Sequence, residues 1–346
     1  MALVETNGIM YVVGGLTNFQ NHNVDRAITI KPYNKDSNID LAGFNNRAFT
    51  ITASGVIIRD LTFKNSKYSG DGGVIYWNAD NGYVYNCTFT NNKLTGSSSK
   101  GGAIMVTGNS DIFIVELCTF SGNDAYDGGS IYVNDVTNNT LILKSNFVSG
   151  KATHYGGAIY YNGKICYYID DDTVFAANTA SGDSRYKDIY DAQTTKCIMD
   201  VYVSLDGTGD GSSFDNPTNF NTGFNKVAPG GKITFVKANE VYNLNSNYAI
   251  GKFAISFYGN NSTFKGASFT IAPAAYNINF NNIIFKSNSI NAIVWDGIGG
   301  NVINCSFIDN GGSGGLKGAA IQGTGNNLTI INSMFAVTSA FSWQNC

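Results

Sequence analysis

A six-residue pattern recurs along the chain: apolar, any, Asn-like, small, any, Phe. It reads Ile58-Arg59-Asp60-Leu61-Thr62-Phe63, Val84-Tyr85-Asn86-Cys87-Thr88-Phe89, Val115-Glu116-Leu117-Cys118-Thr119-Phe120 and Ile142-Leu143-Lys144-Ser145-Asn146-Phe147. It returns as Phe280 to Phe285, Val302 to Phe307 and Ile330 to Phe335, with a distorted copy ending at Phe175. The first, fourth and sixth positions are apolar or small and are expected to face inward. Strict strand alternation would turn the third position inward instead of the fourth. A corner is therefore predicted at the third position, which is Asn in four of the seven regular copies and Asp in a fifth. Those residues tolerate left-handed backbone and bond their own main chain.

A second phrase follows each early copy: Gly72-Gly73-Val74-Ile75-Tyr76, Gly101-Gly102-Ala103-Ile104-Met105, Gly128-Gly129-Ser130-Ile131-Tyr132 and Gly156-Gly157-Ala158-Ile159-Tyr160. Lys317-Gly318-Ala319-Ala320-Ile321 echoes it. The Gly pair supplies a turn and a strand follows. Successive phrase Phe residues lie 22 to 31 positions apart, the contour of one solenoid coil rather than of a propeller blade. The fold class predicted is all-β, a right-handed parallel β-helix whose Phe, Ile and Val rows stack into one core.

The halves resemble each other. Ala27-Ile28-Thr29-Ile30 and Phe49-Thr50-Ile51 lead to the Phe63 phrase, as Ala254-Ile255-Ser256-Phe257 and Phe269-Thr270-Ile271 lead to the Phe285 phrase. Two consecutive modules are expected, 1–198 and 199–346. The second has a lead-in with Phe220, Phe224 and Val227 at helical spacing. That predicts a short capping helix over 217–228, begun near Pro217 and closed by Pro229-Gly230-Gly231. The first module lacks such a lead-in, so its N-terminal cap is expected to lie upstream of Met1 or in a flanking β-helix module.

Composition narrows the function classes. Charged residues make up 14% and net charge is -3, so nucleic-acid binding has no electrostatic footprint. No apolar run reaches the roughly 20 residues of a transmembrane helix, and the start lacks a signal-peptide pattern. The six Cys form no CxxC pair and there are two His, so neither a metal site nor any other cofactor is expected.

Several residues are candidates for chemistry. If the repeated Ile faces inward, alternation turns Tyr76, Met105, Tyr132 and Tyr160 outward as a stripe one coil apart, suited to sugar rings or to shielding the sheet. Asp170-Asp171-Asp172 is the one dense acidic run; three adjacent carboxylates repel and normally point to water. Asp206-Gly207-Thr208-Gly209-Asp210-Gly211 opens like a calcium loop, but Pro217 stands where the closing Glu belongs. A Gly/Asp turn is the simpler reading, with adventitious calcium near Asp206 and Asp210 as the alternative. Cys87 and Cys118 share a phrase position and are expected to stack as buried free thiols. Asn86, Asn138, Asn260, Asn304 and Asn327 begin glycosylation sequons.

The Phe-x-x-Asn and Gly-Gly-Ala-Ile coils resemble chlamydial polymorphic outer-membrane proteins. Through the Asn-Cys-Thr-Phe and Gly-Gly-Ala-Ile-Met coils and the lead-in from Gly207 to Thr218, the chain is more closely similar to adhesin-like surface proteins of methanogenic archaea. That resemblance implies a non-catalytic, extracellular or cell-surface stalk that contacts surface glycans or other cells. The alternative class is a β-helical polysaccharide lyase or glycoside hydrolase. It needs converging carboxylates or a base, whereas the four Arg (Arg26, Arg47, Arg59, Arg185) and His22 and His154 sit in separate contexts. No catalytic residue is expected.

Overall fold

The structure, a computed structural model, describes residues 4–14, 21–35, 37–107, 112–134, 139–163, 167–192, 196–244, 246–251, 254–266, 268–273, 275–286, 291–310, 320–336 and 342–343. It is a parallel β-solenoid of about 10 turns with one short α-helix. The chain divides into two compact units, Met1–Lys196 and Cys197–Cys346.

In the first unit a coil turns through four short strands. One coil comprises Ile75–Trp77, Gly82–Tyr85, Thr88–Thr90 and Lys93–Leu94. The next comprises Ile104–Val106, Ile112–Glu116, Thr119–Ser121 and Asp124–Ala125. Stacking gives four parallel faces of seven, seven, six and five strands. The first face follows the Gly-Gly turn, the second and third carry the two halves of the phrase, and the fourth returns to the next turn.

The corners lie where the phrase places them. Its third position takes positive φ in all seven regular copies: 60° at Asp60, 49° at Asn86, 55° at Leu117, 46° at Lys144, 54° at Asn282, 52° at Asn304 and 49° at Asn332. Leu117 and Lys144 adopt the left-handed region at a steric cost that Asn and Asp largely avoid. Neighbouring corners support each other: Asn86 Nδ2 donates to Asp60 Oδ1 at 2.8 Å.

Between the corners the rings stack one per coil. Phe63–Phe89, Phe89–Phe120, Phe120–Phe147 and Phe147–Phe175 have centroids 5.0, 4.8, 4.7 and 5.1 Å apart, with planes within 11°. The first four rings are fully buried; each contributes about 2–3 kcal/mol through area removed from water. Three residues beyond Phe89, Phe120 and Phe175, a buried amide continues the register. Asn123 Nδ2 donates to the Phe89 carbonyl at 3.0 Å, while its Oδ1 accepts from the backbone and side chain of Asn92 at 3.1 and 3.0 Å. Asn178 repeats the arrangement against Phe147 and Gly150. In a site closed to water, such an amide is stable only with its polar atoms paired.

The second unit has sheets of nine and five strands, and two of its strands, Ser256–Lys265 and Tyr276–Lys286, run through the corner. Phe285–Phe307 and Phe307–Phe335 stack at 4.9 Å. The helix spans Phe220–Lys226, capped by Asn219, whose side chain accepts from the Thr222 amide. It is shorter than the 217–228 expected because Val227, fully buried, already has extended backbone and opens the strand Val227–Phe235. Phe220 sits among Phe235, Tyr242, Tyr248, Phe264 and Phe269 at 5.1 to 6.3 Å. The helix therefore plugs one end of that core.

Candidate functional site

The stripe on the first face forms as a single register: Thr50, Tyr76, Met105, Tyr132, Tyr160 and Tyr190 are paired coil to coil. All lie on the side opposite the buried Ile row. Outward here does not mean exposed, however, and the expectation of an open stripe is corrected for its two central members. Met105 is 5% and Tyr132 2% exposed. The reason is the Gly-Gly turn, which folds back over the outer surface. A Cβ on Gly72, at φ 62°, would lie 2.5 Å from the Ile75 carbonyl oxygen and 3.0 Å from Met105 Cβ. Lys100 then covers Tyr132, its Nζ 4.7 Å from the ring centroid and 3.2 Å from the hydroxyl. Tyr76 is half-buried beneath Arg47, whose guanidinium carbon is 4.7 Å from the ring centroid.

Accessible aromatic surface gathers further along. Tyr160 stacks on Tyr132 at 4.6 Å and meets Tyr190 at 4.7 Å. Tyr155 stacks on Tyr190 at 4.6 Å with an interplanar angle of 10°, and Tyr186 sets its edge against both. Tyr155, Tyr160, Tyr186 and Tyr190 are all half-buried. Of these, only Tyr160 was in the sequence-derived stripe. Tyr190 follows Ile189 as Tyr160 follows Ile159, so the Ile-Tyr pair was a usable signal. The missing Gly-Gly before it, replaced by Tyr186-Lys187, concealed the copy. Burial, with smaller repulsion from Asp127 and Asp71, pushes the Tyr132 hydroxyl up to about 12. Burial also pushes Tyr160 and Tyr190 upward. Tyr132, Tyr160 and Tyr190 thus stay uncharged at neutral pH, and the cluster offers ring faces and hydroxyls.

Beside it lies an acid–base pair that spacing did not reveal. His154 Nδ1 is 2.9 Å from Asp127 Oδ1, which also accepts from the Tyr155 amide at 3.2 Å. Asp127 is buried, and His154 stacks on Tyr126 and lies against Tyr155. The two residues belong to successive coils, one before each Gly-Gly turn. Asp71, at the equivalent position of an earlier coil, likewise accepts from the Lys100 amide at 2.8 Å. Bridging of consecutive turns accounts for these carboxylates.

The other candidates resolve into structural roles. Asp170 accepts from the Lys144 amide at 3.0 Å through either oxygen and from Thr173 at 2.6 Å. Its carboxylate substitutes for the carbonyl that serves the equivalent amides of Asn86 and Leu117. Asp171 and Asp172 are exposed. Asp206 is held by Lys237 at 2.7 and 2.8 Å, and Asp210 accepts from Ser212 and Asn216. Both carboxyls are held below their usual range by these bonds, so the loop is a closed Asp/Gly turn. Among the described residues, no group of three His, Cys, Asp or Glu side chains could hold a metal. Cys87 and Cys118 are buried free thiols in neighbouring coils, with the Cys87 amide 3.4 Å from Cys118 Sγ. Of the sequon asparagines, Asn86, Asn260, Asn304 and Asn327 all have positive φ, so conformation alone explains them. Asn138 lies outside the described residues. The position carrying Arg59 carries Tyr85, Glu116 and Leu143 in the following coils, so no acidic groove forms there.

No protein-family model matches the chain, and no solved structure matches it. Among curated proteins, the chain is similar to the probable autotransporter YfaL of Escherichia coli (strain K12), with 30% identity over 177 residues. The match covers 45% of this chain and 13% of the length of that relative.

Proposed function

We propose that the chain is a surface-exposed, passenger-like β-helix segment that contacts glycans or other cells without catalysing a reaction. The observation that carries this reading is the half-exposed cluster of Tyr155, Tyr160, Tyr186 and Tyr190, held rigid by coil-to-coil stacking. Rigid tyrosines offer contact area at little conformational cost, and their hydroxyls add directional bonds. The partial similarity to an autotransporter supports a surface location. The resemblance of the coil phrases to archaeal adhesin-like proteins points the same way. Among the described residues, no helix is long and apolar enough to cross a membrane.

Binding to a panel of immobilised neutral glycans tests the reading. Changing Tyr160 and Tyr190 together to Ser should abolish retention while circular dichroism stays unchanged. Retention that persists in the folded double variant would refute the seat. A second reading, polysaccharide cleavage, is favoured by one observation, the Asp127–His154 pair beside the cluster. Incubation with pectins, alginates and xylans distinguishes the two. Sustained oligosaccharide release that disappears in Asp127→Asn would replace binding with catalysis.

A further inference from the structure

A second surface of the first unit is charged rather than aromatic. The outward row of the fourth face reads Lys67, Lys93, Asp124, Lys151, Thr179, one residue per coil in strict register. Lys67 and Lys93 line an open groove of about 500 Å3 together with Ala42, Gly43, Asn65 and Asn91. Both lysines are exposed. Among the described residues neither has a carboxylate within ion-pair distance. Asp40, whose carboxylate contacts the rim residues Ala42 and Asn65, is already engaged by the Ala42 amide, Asn65 Nδ2 and Lys64. The strands beneath the two lysines are about 4.8 Å apart. At that spacing two like charges destabilise each other unless an anion lies between or along them.

We infer that this groove binds a linear polyanionic glycan, with sulfate or carboxylate groups placed against Lys67 and Lys93 and the sugar hydroxyls against Asn65 and Asn91. The groove is open and single ammonium–anion contacts at a surface are weak. A free anion therefore gains little, whereas a polymer gains at each coil it crosses. Asp124 ends the cationic run on one side and so limits the contact to two coils. Nothing in this assignment depends on the tyrosine cluster, which lies on the first face.

The experiment uses the full chain and fluorescence anisotropy with labelled heparin-derived and polygalacturonate oligosaccharides, with a neutral dextran oligomer as control. Changing Lys67 and Lys93 together to Ala should weaken polyanion binding about tenfold, each contact being worth roughly twofold to fivefold. Lys151→Ala, beyond Asp124, should leave it within about twofold. Asp124→Lys joins Lys67, Lys93 and Lys151 into one cationic row and should tighten binding about fivefold, a gain that misfolding cannot produce. Raised salt should weaken the wild-type interaction. Unchanged affinity in the double Lys variant, equal binding of dextran, or no gain in Asp124→Lys would overturn the assignment. Competition by inorganic sulfate as effective per charge as the oligosaccharide would overturn its polymeric part. Tyr160→Ser/Tyr190→Ser should keep polyanion binding intact, which separates this groove from the aromatic seat.

Discussion

Replacing Phe120 with Ala removes a ring in the middle of the longest phenylalanine stack among the described residues. The ring is fully buried. It faces Phe89 at 4.8 Å with planes 5° apart and Phe147 at 4.7 Å with planes 1° apart. Phe-to-Ala changes in packed cores cost about 3–5 kcal/mol. Phe120 belongs in the upper part of that range, since both ring faces lose a stacked partner worth about 0.5–1.5 kcal/mol each. The cavity cannot collapse easily, because the neighbouring rings are fixed by strand pairing through Thr119 and Ser121. Phe335→Ala provides the contrast: that ring is 41% exposed and, among the described residues, stacks on Phe307, so about 1–2 kcal/mol is expected. Urea unfolding can be followed through Trp77, fully buried in the first unit, with Trp295 and Trp343 changed to Phe in the background. At a slope of about 2 kcal/mol per molar urea, Phe120→Ala should lower the midpoint by about 2 M. Phe335→Ala is read through Trp295 in the converse background, against its own parent. A loss at Phe120 no larger than at Phe335 would show that the stack is not the core of the coil.

Leu117, exposed and held at φ 55°, should gain about 1 kcal/mol in stability on change to Asn or Gly, read as a raised Tm; a lower Tm would mean its side chain packs usefully. Asn123→Ala should cost about 2–4 kcal/mol, because it leaves the Phe89 carbonyl and the Asn92 amide buried without a partner; a cost below about 1 kcal/mol would show that water replaces it. The tyrosines whose folded pKa is raised contribute stability that is complete below the ordinary tyrosine value of about 10 and lost as pH rises above it. Tm should therefore hold up to about pH 10 and fall towards pH 12, the range to which Tyr132 is raised, and Tyr132→Phe should flatten the fall. An unchanged alkaline profile in that variant would show that Tyr132 does not contribute to it.

The fold was legible because its determinants are local and repeated. Left-handed corners at Asp60 and Asn86 follow from side-chain chemistry at one phrase position. Once the corner is placed, the inward direction of Phe63 and Phe89 follows. Leu117 and Lys144 take the same backbone against their preference because coils above and below impose the register, something a single residue does not disclose. The candidate site was only partly legible. Alternation gives the side on which Met105 and Tyr132 lie, but their burial depends on how far a Gly-Gly turn folds back, which is a tertiary matter. The His154–Asp127 contact joins residues 27 positions apart, and only the lengths of two intervening loops bring them together. Tyr190 was hidden by the loss of the phrase that announces its equivalents.

The parallel register of the first unit has a mechanical consequence. Strand hydrogen bonds between coils run along the solenoid axis. Tension applied along that axis would therefore load one coil's bonds at a time and peel coils in succession, whereas tension across it would load every bond of a strand together in shear. With 27 residues separating Phe120 from Phe147, each peeled coil would release about 90 Å of chain. A force applied to one end would appear as a staircase of extensions of nearly equal length, dissipating load without unfolding the coils behind.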